Sequence, residues 1–264
     1  MCTIAILIDV VSDAPFVVAA NRDELYARPT RGPERLQSTH FGLLGRAAIA
    51  GGVDVLSGGT WLAVRADGQL AAVTNQIALV TPPPGLRSRG HAVAELAAAV
   101  DPDAYVAALD PTRYASMNLL WRGPRGVAIA YARREQGTLE IERLGRGVHV
   151  LCNDRLRAPG FPRCPRLVAA IERALAADPR WPALIHPLTA ALADHTRVAL
   201  ADTPSSHLPP ELARELTANC IHSAEYGTRS ATMLALQHRS VTAYLHADGP
   251  PCTTPFVDRL ELLR

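Results

Sequence analysis

Apolar residues gather in short runs from the first residues onward. Thr3 to Val11 is one such run, and Phe16 to Ala20 is another, separated by polar residues and a proline at Ser12–Pro15. Two short β-rich runs around a turn predict a hairpin. If Ser12-Asp13 forms the tight turn, Cys2 lies across from Asp23 and Thr3 across from Arg22, and a longer turn shifts this by about one pair. A cysteine, an arginine and an acid then meet at one sheet edge. Ala27 to Ser38, rich in Arg, Pro and Gly, predicts a loop. Phe41 to Ala50 reads as a strand and Gly51 to Gly59 as a flexible stretch. Thr60 to Ala66 and Leu70 to Asn75 flank Asp67-Gly68, a strong short hairpin signal that sets Thr60 opposite Asn75.

Further along, Ser88 is a suitable N-cap for a helix over His91 to Val100, with Ala94, Leu96, Ala97 and Val100 as its packing face. Asp101 to Leu109 predicts a second helix. Strands follow at Met117 to Trp121, Val127 to Arg133, Thr138 to Arg143 and Val148 to Cys152, with the apolar content of inner sheet faces. Arg166 to Ala177 is amphipathic, with Leu167, Ala170, Ile171 and Leu175 on one face. Pro182 to Asp194 reads as a helix broken near Pro187. Ala201 to Pro210 predicts a loop and Glu211 to Thr217 a short helix. Cys220 to Ser223, Arg229 to Gln237 and Val241 to His246 give closing strands.

Composition narrows the function. The chain has 264 residues, enough for one large domain over 1–264. A net charge of +2 argues against a dedicated nucleic-acid binder. All 27 basic residues are arginine, which excludes a Schiff-base or P-loop lysine. The five cysteines lack CxxC spacing, and His186 and His195 do not share a ligand spacing on one helix face, so neither a disulfide framework nor a metal site is expected. Asp9 and Asp13 interrupt the first apolar run, which has no basic residues ahead of it. This speaks against a signal peptide, and no run reaches the roughly 20 apolar residues of a membrane span. The expectation is a cytoplasmic protein.

Cys2 carries the most specific chemistry. A small residue at position 2 permits removal of Met1, which would leave Cys2 with a free α-amine of unperturbed pKa about 7.7–8.0. That amine can activate its own side chain, so that one residue supplies nucleophile and base. The plain alternative is a small apolar residue entering a buried strand.

Several motifs then occur in one order along the whole chain. They are Met1-Cys2-Thr3, Asn21-Arg22-Asp23-Glu24 with Arg28-Pro29-Thr30, Gly58-Gly59-Thr60-Trp61-Leu62, Ala72-Val73-Thr74-Asn75, Arg89-Gly90, Met117-Asn118-Leu119 and Tyr226-Gly227-Thr228-Arg229-Ser230. In these the chain resembles the NRDE family, also known as the transport and Golgi organisation protein family. The resemblance implies an α+β fold, that of the N-terminal-nucleophile (Ntn) hydrolases, a four-layer αββα sandwich of two mainly antiparallel sheets flanked by helices. It also implies a catalytic set of Cys2, Arg22, Asp23, Asn75, Asn153 and Arg229. Asn153 follows a strand as an asparagine does in related bile-salt and penicillin V amidohydrolases, and Arg229 matches a late arginine that approaches the cysteine in them. Asn75 would share an oxyanion hole with Asn153, and Cys152 would serve as packing. Asn21, Glu24, Trp61, Tyr226 and Thr228 would contact substrate. The expected activity is hydrolysis of an amide or thioester of a small acyl substrate, with no cofactor. Animal members are connected with heme trafficking and with lipid and coenzyme A metabolism, so the alternative is a non-catalytic carrier of heme or an acyl-CoA-like lipid in the same cleft.

Overall fold

The computed structural model describes residues 2–36, 47–76, 83–206 and 208–264. In chain order the strands are β1 (Cys2–Val11), β2 (Ala14–Leu25), β3 (Thr30–Arg35), β4 (Ile49–Asp54), β5 (Leu62–Arg65) and β6 (Leu70–Asn75). Helices α1 (Arg89–Ala98) and α2 (Pro102–Ala107) precede β7 (Met117–Gly123), β8 (Gly126–Arg133), β9 (Thr138–Leu144) and β10 (Gly147–Leu151). Then come α3 (Arg163–Ala177), α4 (Trp181–Leu192) and α5 (Pro210–Glu215), followed by β11 (Tyr226–Leu236), β12 (Val241–Ala247) and β13 (Val257–Asp258). The chain forms two compact units, one of Met1–Ala27, Arg146–Leu236 and Ala243–Asp258, the other of Arg28–Gly145, Gln237–Thr242 and Arg259–Arg264.

The first unit is built on a sheet in the order β10-β1-β2-β11-β12-β13. The near-continuous apolar run of β1 has its reason in burial. Ile4 and Ile6 on one face and Ala5 and Leu7 on the other are all fully covered. Ala5, Leu7, Val17, Ala19 and Met233 pack with Leu167 and Ile171 of α3 and with Trp181, Leu184 and Leu188 of α4. Pro187 lies inside α4 without ending it. The buried Leu184 and Leu188 on either side hold the helix together where one hydrogen bond is missing.

The hairpin forms with Ser12-Asp13 as its turn, since Val11 pairs Ala14, but the register shifts between Ile8 and Val11. Asp9 adopts a positive φ of 53° there. This bulge absorbs one residue, so Cys2 pairs Arg22 rather than Asp23, and Thr3 pairs Asn21.

The second unit holds a seven-stranded meander in the order β3-β4-β5-β6-β7-β8-β9. Ala92, Val93, Leu96 and Ala97 of α1 pack on Ala63, Ala71, Leu119 and Trp121. Ser88 caps α1 by accepting from Gly90 N at 3.2 Å. The helix stops at Ala98, so Val100, expected on its packing face, is exposed. Gly59 and Gly90 explain each other. A Cβ on Gly59 would lie 2.7 Å from the Gly90 backbone, and one on Gly90 would lie 2.9 Å from Thr60 N.

Other expectations are corrected in this unit. The expected loop over Ala27 to Ser38 contains β3, held to β4 across a register shift at Arg31/Pro33 that accommodates the proline. The stretch from Gly51 to Gly59 is ordered by β4 and by Asp54, whose carboxylate accepts from Arg28 at 2.6 Å and from the backbone N–H of Leu56 at 3.2 Å. The expected strand over 41–50 lies in part outside the described residues. Four residues, Ala66 to Gln69, join β5 to β6, with Gly68 at φ 87°. Leu62 therefore faces Ala72, and Thr60 is not the ladder partner of Asn75. Among the described residues no helix is long and apolar enough to cross a membrane.

Candidate functional site

A strand sends successive side chains to opposite faces, and β2 uses this to divide Asn21-Arg22-Asp23-Glu24. Arg22 is the direct partner of Cys2 and shares its face, where it also pairs with Glu24 at 3.9 Å. Asn21 and Asp23 point to the other face, toward α3 and α4. Asn21, expected to touch substrate, is fully buried there and donates to Leu192 O and Asn219 O, both at 2.9 Å. It acts as a tie between β2, the end of α4 and the segment before β11.

Asp23 is the most enclosed acid of the group. Thr228 Oγ1 donates to its Oδ1 at 2.8 Å, Tyr226 donates its hydroxyl to the Asp23 carbonyl at 2.9 Å, and Arg163 stands 3.9 Å from Oδ2. Burial pushes the Asp23 carboxyl above its ordinary value, against the pull of Arg163 and of the Thr228 hydrogen bond.

Cys2 is half-buried. Its backbone N–H donates to Asn153 Oδ1 at 3.2 Å, which places the second residue after β10 beside the start of β1. The antiparallel pairing of β1 with β10, Ile4 opposite Leu151, brings them there. Burial pushes the Cys2 thiol up and the Asp23 carboxylate adds to this, while Arg22 and a hydrogen bond from the Asp23 backbone pull it down. Asn153 itself is 1% exposed and also accepts from Arg163 Nη2 at 3.4 Å.

Arg163 is the residue that reading the sequence missed. It opens α3, is wholly buried, and donates to Leu216 O at 3.0 Å and Ala218 O at 3.5 Å. Burial lowers the stability of its charge, and Asp23 and Cys2 act to restore it. In the sequence it is one arginine among many at the edge of an amphipathic stretch expected to begin at Arg166, with nothing local to mark it as internal.

Arg229 is placed differently from expectation. The register between β11 and β2 slips between Thr228 and Ser230, so Arg229 is the extra residue of a bulge. Its guanidinium donates to Leu25 O at 3.2 Å and to Tyr26 O, and it lies over the Tyr26 ring. The arginines next to Cys2 and Asp23 are Arg22 and Arg163. The same bulge delivers Thr228 to Asp23. Gly227 is needed just before it, because a Cβ there would lie 2.6 Å from the Ile221 carbonyl oxygen. Cys152, expected as simple packing, is joined to Cys164 in a disulfide. Asn75, at the end of β6 opposite Met117, and Trp61, whose carbonyl accepts from Val73, belong to the second unit.

The family model described as Transport and Golgi organisation 2 matches residues 1–246. The chain belongs to the Transport and Golgi organisation 2 family. The Transport and Golgi organization protein 2 homolog of Bos taurus is 30% identical over 237 residues, covering 83% of this chain and 80% of the relative. The Homo sapiens homolog is 28% identical over 236 residues with the same coverage. Among solved structures, penicillin V acylase from Agrobacterium tumefaciens superposes with a TM-score of 0.59 at 14% identity, over 100% of this chain and 88% of that one. The C2A mutant of conjugated bile acid hydrolase from Clostridium perfringens gives 0.58 at 12% identity, over 99% and 93%. These likenesses show the fold, the α+β fold of the Ntn hydrolases that the motifs led one to expect.

Proposed function

We propose that this family member is a cysteine hydrolase of the Ntn type, acting on an amide or thioester of a small acyl substrate. The observation that carries the reading is the 3.2 Å hydrogen bond from Cys2 N to Asn153 Oδ1. It holds in place the nitrogen that becomes an α-amine once Met1 is removed, beside a thiol flanked by Arg22 and Asp23. The names of the structural neighbours, an acylase, a hydrolase and an N-acylethanolamine-hydrolyzing acid amidase, add support for this class of chemistry.

In this mechanism the Cys2 thiol gives its proton to its own α-amine. The thiolate attacks the carbonyl carbon, forming a C–S bond and moving the carbonyl electron pair onto oxygen. The Asn153 amide, whose Oδ1 holds the amine, carries the donor offered to that oxyanion. Collapse expels the amine or thiol leaving group, which takes the ammonium proton. A water deprotonated by the same amine then attacks the acyl-enzyme thioester, releasing the carboxylic acid and returning the thiol. Arg22 favours the thiolate, and Asp23, anchored by Thr228 and Arg163, sets the charge balance beneath it.

Intact mass spectrometry of the purified chain, alone and after incubation with a panel of N-acyl amides and acyl thioesters, tests this. Expected are loss of Met1, an acyl adduct on the unsubstituted chain and none on Cys2→Ala. Retention of Met1, or a panel without any Cys2-dependent adduct, overturns the reading. Saturable binding of heme that is indifferent to Cys2→Ala would instead favour the carrier.

A further inference from the structure

Four metal-ligand side chains converge elsewhere in the first unit. His195, Cys220, His222 and Cys252 offer ligand atoms that all lie within 4.8 Å of one another. Cys220 Sγ is 3.6 Å from Cys252 Sγ and 3.7 Å from His222 Nε2, which is 3.3 Å from Cys252 Sγ. A tetrahedron with Zn–S near 2.3 Å and Zn–N near 2.0–2.1 Å has edges of about 3.8 Å between sulfurs and about 3.6 Å between sulfur and nitrogen. The observed separations fall close to both. A disulfide needs a sulfur separation of about 2.05 Å, and Cys220 and Cys252 are free thiols.

His195 is prepared for the same task. Its Nδ1 lies 3.1 Å from the Cys220 carbonyl. A carbonyl only accepts, so Nδ1 carries the proton and the lone pair sits on Nε2. This is the outer-shell hydrogen bond that metal-bound histidines usually make. We infer that His195, Cys220, His222 and Cys252 form a closed Cys2His2 site for a zinc ion. Two thiolates with two imidazoles suit zinc over the harder cations. With all four positions filled by the protein, its role is structural.

The placement gives that role content. The ligands come from the segment after α4, the segment before β11 and the segment after β12. Cys220 to Ser223, expected as a strand, makes only an isolated bridge, His222 to Gly227, and is tied to its surroundings by single bonds such as Cys220 N to Asp194 O at 3.0 Å and Thr228 N to Ile221 O at 2.9 Å. Ile221 N also donates to Thr228 Oγ1 at 2.9 Å, and the same hydroxyl donates to Asp23. A zinc ion at Cys220 and His222 fastens the backbone that positions Thr228 under Asp23.

Elemental analysis of the full chain purified without chelator, and the cobalt(II) spectrum after zinc exchange, test the inference. Expected are one zinc per chain and a cobalt form with thiolate charge-transfer bands and the strong visible bands of tetrahedral coordination. His222→Ala, at an exposed residue, should lose the metal while keeping the far-ultraviolet circular dichroism of the parent, and Cys252→Ser should lose the charge-transfer intensity. Failure of the unsubstituted, thiol-reduced chain to take up cobalt overturns the proposal whatever the variants do. So does a Cys220–Cys252 disulfide in chain isolated with thiols blocked, or a cobalt spectrum that survives both substitutions. None of these readouts depends on hydrolysis.

Discussion

Replacing Arg163 by methionine is the sharpest probe of the polar cluster beneath Cys2. The change keeps an apolar stem of similar length and removes the guanidinium. At 3.9 Å from Asp23, the pair interacts by about 4 kcal/mol at an effective dielectric of 20. Both side chains are fully buried, so the lost partner leaves a carboxyl in the interior with less to offset its desolvation. Removing one member of a buried pair costs about 3–5 kcal/mol. Leu216 and Asn153 lose a donor as well. The expected loss is therefore about 3–5 kcal/mol, a large part of the 5–15 kcal/mol typical of a folded domain. Urea unfolding of the parent, Arg163→Met, Asp23→Asn and the double variant measures it. In the double variant the buried carboxylate is gone, so its loss should be smaller than the sum of the singles by more than about 1 kcal/mol. Additivity within about 0.5 kcal/mol, or a loss below about 1 kcal/mol for Arg163→Met, would refute the reasoning that the pair is one electrostatic unit.

Asp23 also predicts a pH dependence. Its folded pKa is raised, so its proton stabilises the fold at low pH, and that contribution fades as pH rises from the unfolded value near 3.9 through the folded one. The melting temperature of the parent relative to Asp23→Asn should fall across that window, and a constant difference would count against the buried placement. Gly90→Ala and Gly59→Ala should each cost about 1–3 kcal/mol by overpacking, because each Cβ meets the facing backbone. Thermal unfolding checks this, and a neutral effect of both would mean the contact gives way.

The first hairpin and the α1 cap at Ser88 were legible because each rests on local signals, two apolar runs around a turn and a capping serine, while the place of Asn153 near Cys2 came from the resemblance to a family. What escaped was set by geometry that a run of letters does not display. One left-handed residue, Asp9, moved the pairing by a position and gave Cys2 an arginine opposite. A bulge before Ser230 turned Arg229 away and Thr228 inward. Arg163 sits at a helix start where arginines are ordinarily solvated, and only tertiary packing buries it. The four residues proposed to hold zinc are spread from His195 to Cys252. Their one local hint was Cys220-Ile221-His222, two ligand types spaced to share a face of an extended segment, which the expectation of a plain strand concealed.

The division of β2 into two faces bears on how such a protein diversifies. Asn21 and Asp23 are committed to interior ties with α3, α4 and β11, so drift at either unsettles the scaffold. Arg22 and Glu24 answer to whatever occupies the opposite side. A lineage can therefore exchange its reaction, or abandon it, and the inward half of the tetrad still stays under selection for folding. Retention of all four letters across relatives would then record two separate pressures, only one of them chemical.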